Sequence, residues 1–131
     1  MTLPQTATPF PALVGHQYMS LTTFRKSGAA VPTPVWFVAE GGKLYVFTRP
    51  DSGKVKRVRA NGRAEVAPSD ARGTVLGLVT PGRARILALE EHAHAKALFV
   101  RKYGIQFRLF DLVGKLQRAQ PAYLEIAPVA S

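Results

Sequence analysis

The sequence predicts a mainly β fold: a small, six-stranded antiparallel barrel with a few helices covering its openings. Six segments of the 131-residue chain have the alternation or β-branched composition of strands. The connections between them are too short for the crossover helices of a parallel sheet, and only a few segments have helical spacing. This length matches one domain, so we expect residues 1–131 to form a single barrel domain, with residues 1–15 as an N-terminal arm.

The first three strands are predicted to form a meander. Tyr18–Phe24 is rich in β-branched and aromatic residues and precedes the turn sequence RKSG. The segments VPTPVWFVAE and KLYVFT flank Gly41-Gly42, the spacing of a tight hairpin whose central residues need positive φ. Pro32 and Pro34 cannot donate ladder hydrogen bonds, so the second strand should begin at an edge, a bulge or a bend.

The remaining segments alternate between helix and strand. Ser52 is a candidate N-cap for a short helix that buries Val55 and Val58. RAEVAPSD and GRARILALE alternate small or apolar residues with polar ones, which predicts two more strands. Glu90–Tyr103 is alanine-rich and is closed by Gly104, IQFRLFDLVGKLQ is amphipathic, and AYLEIAPV is the predicted sixth strand.

Composition narrows the class of function. Apolar residues make up 47% of the chain, which excludes intrinsic disorder. The chain has no cysteine, and its first fifteen residues lack the features of an export leader, so we expect a cytoplasmic protein outside the membrane. A formal net charge of +10 indicates an anionic partner, which leaves nucleic acid, a membrane surface or a cofactor phosphate open beside an ordinary solvated surface.

No constellation of catalytic or metal-binding side chains stands out. His92 and His94 are two residues apart on a predicted helix, so their side chains diverge, and His16 stands alone. The sequence has no G-x-S-x-G elbow, and its eight carboxylates are dispersed. We therefore predict no catalytic side chain and no metal ligand, and any chemistry would come from a bound cofactor.

The stretch RPDSGKVKRVRANGR, Arg49–Arg63, concentrates basic residues around a single acidic one. The start of a helix offers free N–H groups to an anion, so Ser52, Gly53 and Lys54 form a candidate phosphate cradle. Lys54 and Arg57 share one side of this helix, while Lys56 lies on another. Simple solvation of an exposed basic helix remains the alternative.

Four segments recur in this order in one known family: SLTTF, VPTPVWF, YVFTRPDSGKVKR and RKYGIQFRLFDLVGKL. From Tyr18 to Ile126 the chain resembles the split β-barrel proteins related to pyridoxamine phosphate oxidase, in their flavin- and deazaflavin-dependent oxidoreductase branch. The most specific features are PTPVWF followed by T-x-x-x-S-x-K, and the combination KYG…FRLFDL. These features are similar to the type that uses the deazaflavin coenzyme F-420.

The resemblance implies a flavin-binding split barrel in which eleven residues bind the cofactor. Phosphate contacts would come from Thr48, Ser52 and Lys54, with Lys56 and Arg57 as further cations; Pro34, Val35, Trp36 and Phe37 would line the ring; and Thr22 and Thr23 would reach its polar atoms. Ordinary core packing is the alternative for Trp36. The aromatic residues of the two later helical segments are expected in the core or at a dimer interface; they are Phe99, Tyr103, Phe107 and Phe110.

The resemblance also implies a cytoplasmic homodimer in which bound coenzyme F-420 transfers hydride to a small unsaturated substrate. FMN is the alternative cofactor. The alternative from another class is a binding module for a flavin or a tetrapyrrole, with no turnover of its own. A nucleic-acid partner ranks last, because the chain lacks the interleaved aromatic and basic strands of single-strand binding platforms.

Overall fold

The computed structural model describes residues 10–116 and 121–129. They form one antiparallel sheet with three α-helices, and short 3-10 turns at Pro11–Leu13 and Leu89–Glu91. The strands are β1 (Tyr18–Phe24), β2 (Ala30–Trp36), β3 (Val38–Glu40), β4 (Lys43–Thr48), β5 (Arg63–Ser69), β6 (Thr80–Ile86) and β7 (Ala122–Pro128). The helices are α1 (Gly53–Ala60), α2 (His92–Tyr103) and α3 (Ile105–Leu116).

The sheet is curled into a split barrel. Its strand order is β2-β1-β5-β6-β7-β4-β3, and every described pairing is antiparallel. The two edge strands β2 and β3 are separated in the chain only by Phe37, so the opposite edges of the sheet meet at this residue. The predicted mainly β, antiparallel barrel is confirmed.

The structure has seven strands where six were predicted, because the second predicted strand divides at Phe37. Before the break, Trp36 pairs with Tyr18 of β1, and after it Val38 pairs with Tyr45 of β4. A single extended segment therefore serves both edges of the sheet. Its proline-containing half is an edge strand, as predicted.

The predicted hairpin and helix boundaries are reproduced closely. Gly41 and Gly42 have φ of 61° and 78°, the left-handed conformation that a tight β3–β4 hairpin requires. Gly104, with φ of 59°, ends α2, whose predicted first residues form the preceding 3-10 turn. Residues 1–9 of the predicted N-terminal arm and Gln117 of the predicted third helical segment lie outside the described residues.

Two apolar clusters stabilise the barrel. The first fills its interior with side chains from the sheet, from α1 and from the turn that begins after Phe10, including Met19, Leu21, Val58 and Leu124. The second lies between the outer surface of the sheet and the two later helices, and contains Leu98, Phe99, Tyr103, Phe107 and Tyr123. Helix α2 thus buries its apolar side against the sheet, as its spacing predicted, whereas α3 contributes only Phe107 of its described side chains to this cluster.

Arg85 of β6 links two carboxylates, one on the neighbouring strand β7 and one in the 3-10 turn that follows β6. Its guanidinium donates to Glu91 at 2.7 and 2.9 Å, and its Nε donates to Glu125 at 3.0 Å. The side chain of Glu125 is only 7% exposed, and it also accepts from the hydroxyl of Tyr45 at 3.2 Å. Hydrogen bonds from Arg85 and from the backbone N–H of Ala88 lower the pKa of Glu91 to about 2.

The Glu91→Gln variant is expected to lose stability at about pH 6 and to lose less at about pH 3. The folded-state pKa of Glu91 lies below its ordinary value of 4.5, so its contribution is fully present above pH 4.5 and disappears as the pH falls toward 2. Urea unfolding of both proteins at the two pH values measures this change. Glu90→Gln is the control, and a difference in free energy of unfolding that does not depend on pH contradicts the prediction.

Candidate cofactor-binding site

A groove of about 300 Å³ opens beside Trp36, where β1, β2, β4, α1 and α3 meet. We call it the ring groove. One wall is the proline-containing segment of β2, and the opposite side is formed by the end of β4 and the first turn of α1. Its lining residues are Tyr18, Pro34, Val35, Trp36, Phe47, Thr48, Lys54 and Phe110.

The start of α1 is organised by a pair of hydroxyl groups. Ser52 is the N-cap, and its Oγ accepts from the N–H of Val55 at 3.3 Å. The hydroxyl of Thr48 donates to the same oxygen at 3.2 Å, which ties the end of β4 to the helix. In the first turn of a helix the N–H groups have no intrahelical acceptor, so those of Gly53 and Lys54 could donate to an anion at this position.

Cations cluster around this helix start. The Nε of Arg57 donates to the hydroxyl of Thr23 at 2.6 Å, and its Nη1 lies 2.6 Å from the point where a Cβ on Gly53 would stand. Partial burial, and then the charge of Arg57, lower the pKa of Lys54. Burial and the charge of Arg25 lower the pKa of Arg57. Within residues 10–116 and 121–129, no ion pair involves Lys54 or Arg57, so a bound anion would relieve their repulsion.

Trp36 is both a core residue and a wall of the ring groove. Its ring stacks on Tyr103, with centroids 4.3 Å apart and planes 6° apart. Three further aromatic rings meet it edge-on: Phe110 at 5.2 Å, Phe47 at 6.2 Å and Tyr18 at 6.5 Å. Such a cluster offers a rigid apolar surface to a planar ligand.

A second depression of about 420 Å³ adjoins the ring groove and shares Phe47, Thr48 and Phe110 with it. It extends between α3 and the turn at Arg49. A larger depression, of about 820 Å³, lies elsewhere, between α2 and the segment before β1, and contains no predicted cofactor residue except Phe37. The ring groove and its neighbour together reach the size of about 300–1,000 Å³ typical of ligand sites.

Five of the eleven residues predicted to bind a cofactor line the ring groove; they are Pro34, Val35, Trp36, Thr48 and Lys54. Ser52 and Arg57 lie beside it, at the helix start. Lys56 is exposed outside the groove lining, as expected for a residue on another side of α1. The T-x-x-x-S-x-K spacing therefore places its three polar side chains around one helix start.

Three predicted residues lie away from the groove. Phe37 is 2% exposed and packs inside the barrel, because the chain turns inward where β2 passes into β3. Thr23 is fully buried, and its hydroxyl accepts a hydrogen bond from Arg57. Thr22 lies on β1 opposite Pro32, four residues beyond Tyr18. As the structure stands, Phe37 does not line the ring groove, and Thr22 and Thr23 are not among its lining residues.

Sequence reasoning missed three aromatic lining residues: Tyr18, Phe47 and Phe110. Tyr18 is brought to the groove by its strand pairing with Trp36, and Phe47 directly precedes Thr48. Phe110 was expected in the core or at a dimer interface; it is 59% exposed in the single chain and contacts Trp36 edge-on. Phe110 is three residues after the buried Phe107, and this helical spacing could have indicated that both rings lie near the same side of α3.

The described residues contain no group of three histidine or acidic side chains that could hold a metal ion. His94 pairs with Glu40, and the ring of His92 contacts Tyr123. Among the helices of the described chain, none combines the length and the apolar character needed to cross a membrane.

The curled sheet and its covering helices define a split β-barrel. Residues 9–128 match the family model of pyridoxamine 5′-phosphate oxidase, and the chain belongs to this family. No curated protein sequence matches it.

Solved structures share the fold at low sequence identity. The heme storage protein HutZ from Vibrio cholerae is 12% identical, with a TM-score of 0.68 over 89% of this chain and 84% of that one. An F-420-H2-dependent reductase, FDR-A, is 23% identical, with a TM-score of 0.63 over 84% and 93% of the two chains. A FAD-binding protein from Mesorhizobium loti is 16% identical, with a TM-score of 0.62 over 92% and 84%.

Proposed function

We propose that this protein is a cytoplasmic oxidoreductase that binds the deazaflavin coenzyme F-420 in the ring groove and reduces a small unsaturated substrate. One observation carries the proposal: an apolar wall from Pro34 to Trp36 faces a cationic helix start at Lys54 across a single groove. A planar ring joined to a phosphate needs these two features side by side. The fold shared with FDR-A supports the choice of cofactor.

The bound deazaflavin would supply hydride chemistry, and the protein would supply position and electrostatics. Pro34, Val35 and Trp36 would lie along the ring, and the N–H groups of Gly53 and Lys54 would hold the phosphate. Phe110 on α3 would cover the open side and exclude water. No side chain is proposed to take part in the chemical step.

The distribution of charge favours coenzyme F-420 over FMN. FMN has one phosphate, which Ser52 and Lys54 would satisfy, whereas the deazaflavin coenzyme has a phosphodiester and a tail of glutamates. Cations continue beyond the phosphate position: Lys56 and Arg59 are exposed along α1, and Arg49 lies at the mouth of the adjoining depression. This extended positive track matches an extended anion.

We further propose that the protein acts as a homodimer. Helix α3 carries an exposed apolar stripe at helical spacing, formed by Ile105, Leu109, Leu112 and Val113, which are each at least half exposed. Monomers rarely leave such a surface uncovered. A solved domain-swapped dimer, 22% identical, with a TM-score of 0.59 over 84% of this chain and 79% of that one, has the same fold and supports pairing of two copies.

Parallel titrations test the proposed cofactor. Trp36 is the only tryptophan of the chain, and its position in the ring groove makes its fluorescence a direct reporter. Coenzyme F-420 is expected to bind more tightly than FMN at low salt, and the gap should narrow at high salt, because exposed ion pairs contribute about 0–1 kcal/mol each and are screened.

The same titrations with FMN and with hemin distinguish the proposed function from its two alternatives. Tighter binding of FMN at low salt would contradict the deazaflavin assignment and favour an FMN-dependent oxidoreductase. Binding of hemin, with no binding of either flavin-type cofactor, would favour the non-catalytic tetrapyrrole module. Oxidation of reduced coenzyme F-420 on addition of a quinone or an unsaturated carbonyl compound, absent without protein, is the expected evidence of turnover.

A further inference from the structure

Phe37 occupies the seam where the two edges of the sheet meet, and α2 supplies its backbone partners. Its N–H donates to the hydroxyl of Tyr103 at 3.0 Å. Its C=O accepts from the ammonium of Lys102 at 2.7 Å. Neither of the flanking strands includes Phe37, so two side chains from one helix end satisfy the backbone groups that a strand would otherwise pair.

The same two side chains also hold the chain just before β1. The hydroxyl of Tyr103 donates to the C=O of Gln17 at 2.7 Å, and the ammonium of Lys102 donates to the C=O of His16 at 3.0 Å. Lys102 lies 3.7 Å above the ring of Phe37. Partial burial lowers the pKa of Lys102 to about 8, so at neutral pH it remains mainly an ammonium with donors for both carbonyl groups.

The backbone held by Lys102 and Tyr103 is directly next to two residues of the ring groove. Trp36, the residue before Phe37, and Tyr18, the residue after Gln17, are strand partners and both line the groove. The ring of Tyr103 stacks on the inner face of Trp36 at 4.3 Å. The wall of the groove is thus fixed on its backbone and on its ring by the last two residues of α2.

We propose that Lys102 and Tyr103 are positioning residues for the cofactor ring, acting through the backbone of Phe37 and the ring of Trp36. The inference rests on the proposed function, since it concerns the same groove. Both residues lie behind the wall and neither lines the ring groove, so they act by holding Pro34 to Trp36 in the shape that a planar ring would contact. Loss of the Lys102 ammonium or the Tyr103 hydroxyl leaves every side chain of the groove in place but removes a hydrogen bond that holds the wall.

Two substitutions remove the polar groups with the least change in packing: Tyr103→Phe and Lys102→Met. Each is expected to raise the Kd for FMN, used as the probe at about pH 7, by about tenfold, the size of one lost buried hydrogen bond. Each should also shift the emission of Trp36 before any ligand is added. Lys102→Arg retains a cation with several donors and should restore most of the affinity.

Two control variants show whether a change in Kd comes from lost positioning of the wall or from a general loss of stability. Tyr45→Phe removes a tyrosine hydroxyl that donates to Glu125, and Arg101→Met removes a cation next to Lys102 on α2; neither residue lines the ring groove. Both control variants should keep the wild-type Kd and Trp36 emission, even where urea unfolding shows a similar loss of stability.

The outcomes distinguish this inference from the proposed function. If the wild type binds FMN and both test variants bind it within about twofold of the wild type, the positioning role is overturned. If the wild type binds neither FMN nor coenzyme F-420, the proposed function fails, and the ligand-free emission of Trp36 still decides the support of the wall. Unchanged emission in both test variants would show that Lys102 and Tyr103 do not support the wall. An emission shift in Lys102→Met that is absent in Lys102→Arg would show that Lys102 does.

Discussion

Lys54→Ala is expected to weaken the binding of FMN and of coenzyme F-420 by about 1.5–3 kcal/mol, or about 10- to 150-fold in Kd. Among the residues that the structure describes, Lys54 is the only lysine or arginine that lines the ring groove. It lies in the first turn of α1, where its ammonium would meet a phosphate held by the backbone. Isothermal calorimetry with each cofactor measures the loss.

Lys56→Ala is the matched control, because it removes the same charge from the same helix outside the groove. FMN binding should change little in this variant, whereas binding of coenzyme F-420 should weaken modestly and only at low salt, if Lys56 belongs to the positive track. Equal affinities of the wild type and Lys54→Ala would show that the phosphate does not bind at the start of α1. The basic helix would then be a solvated surface.

Local patterns were sufficient to predict most of the fold. Strand alternation, the glycine pair at 41–42 and the glycine at 104 each act over a few residues, so the sequence alone located the hairpin, the six extended segments and the end of α2. The family resemblance grouped Thr48, Ser52 and Lys54 as phosphate contacts, and the structure brings these three residues together at one helix start. The N-cap role of Ser52 follows from the same short-range geometry.

The parts that escaped prediction depend on contacts between residues far apart in the chain. The break at Phe37 requires the two edges of the sheet to meet, and it is stabilised by Tyr103, 66 residues later. The alternation of VPTPVWFVAE contains no sign of this partner, so the segment was predicted as one strand. The placing of Phe37 in the ring wall came from the family resemblance alone. Phe110 likewise enters the groove only because α3 packs next to Trp36.

Leu109→Glu is expected to convert a dimer into a monomer, which is the largest effect that we predict. Leu109 lies at the middle of the α3 stripe and is 55% exposed in the single chain. A two-fold interface would contain this residue twice, so one substitution would place two unpaired carboxylates in an apolar contact. Each unpaired buried charge costs about 3–5 kcal/mol, so the dissociation constant should rise by well over 100-fold.

Sedimentation at micromolar protein concentration measures the change. The wild type should sediment as a dimer, and the variant as a monomer of 14.2 kDa. Leu89→Glu is the control: Leu89 is 74% exposed but lies in a 3-10 turn outside the α3 stripe, so the dimer should persist.

The proposed dimer should also affect the proposed cofactor site, because Phe110 follows Leu109 on α3 and contacts Trp36. Loss of the partner subunit would leave the outer side of the ring groove open to water, since Phe110 is 59% exposed in the single chain. The Leu109→Glu monomer should therefore bind FMN more weakly than the Leu89→Glu dimer, although both retain Lys54. A monomeric wild type, or an unchanged dimer in Leu109→Glu, would show that the α3 stripe is not the interface.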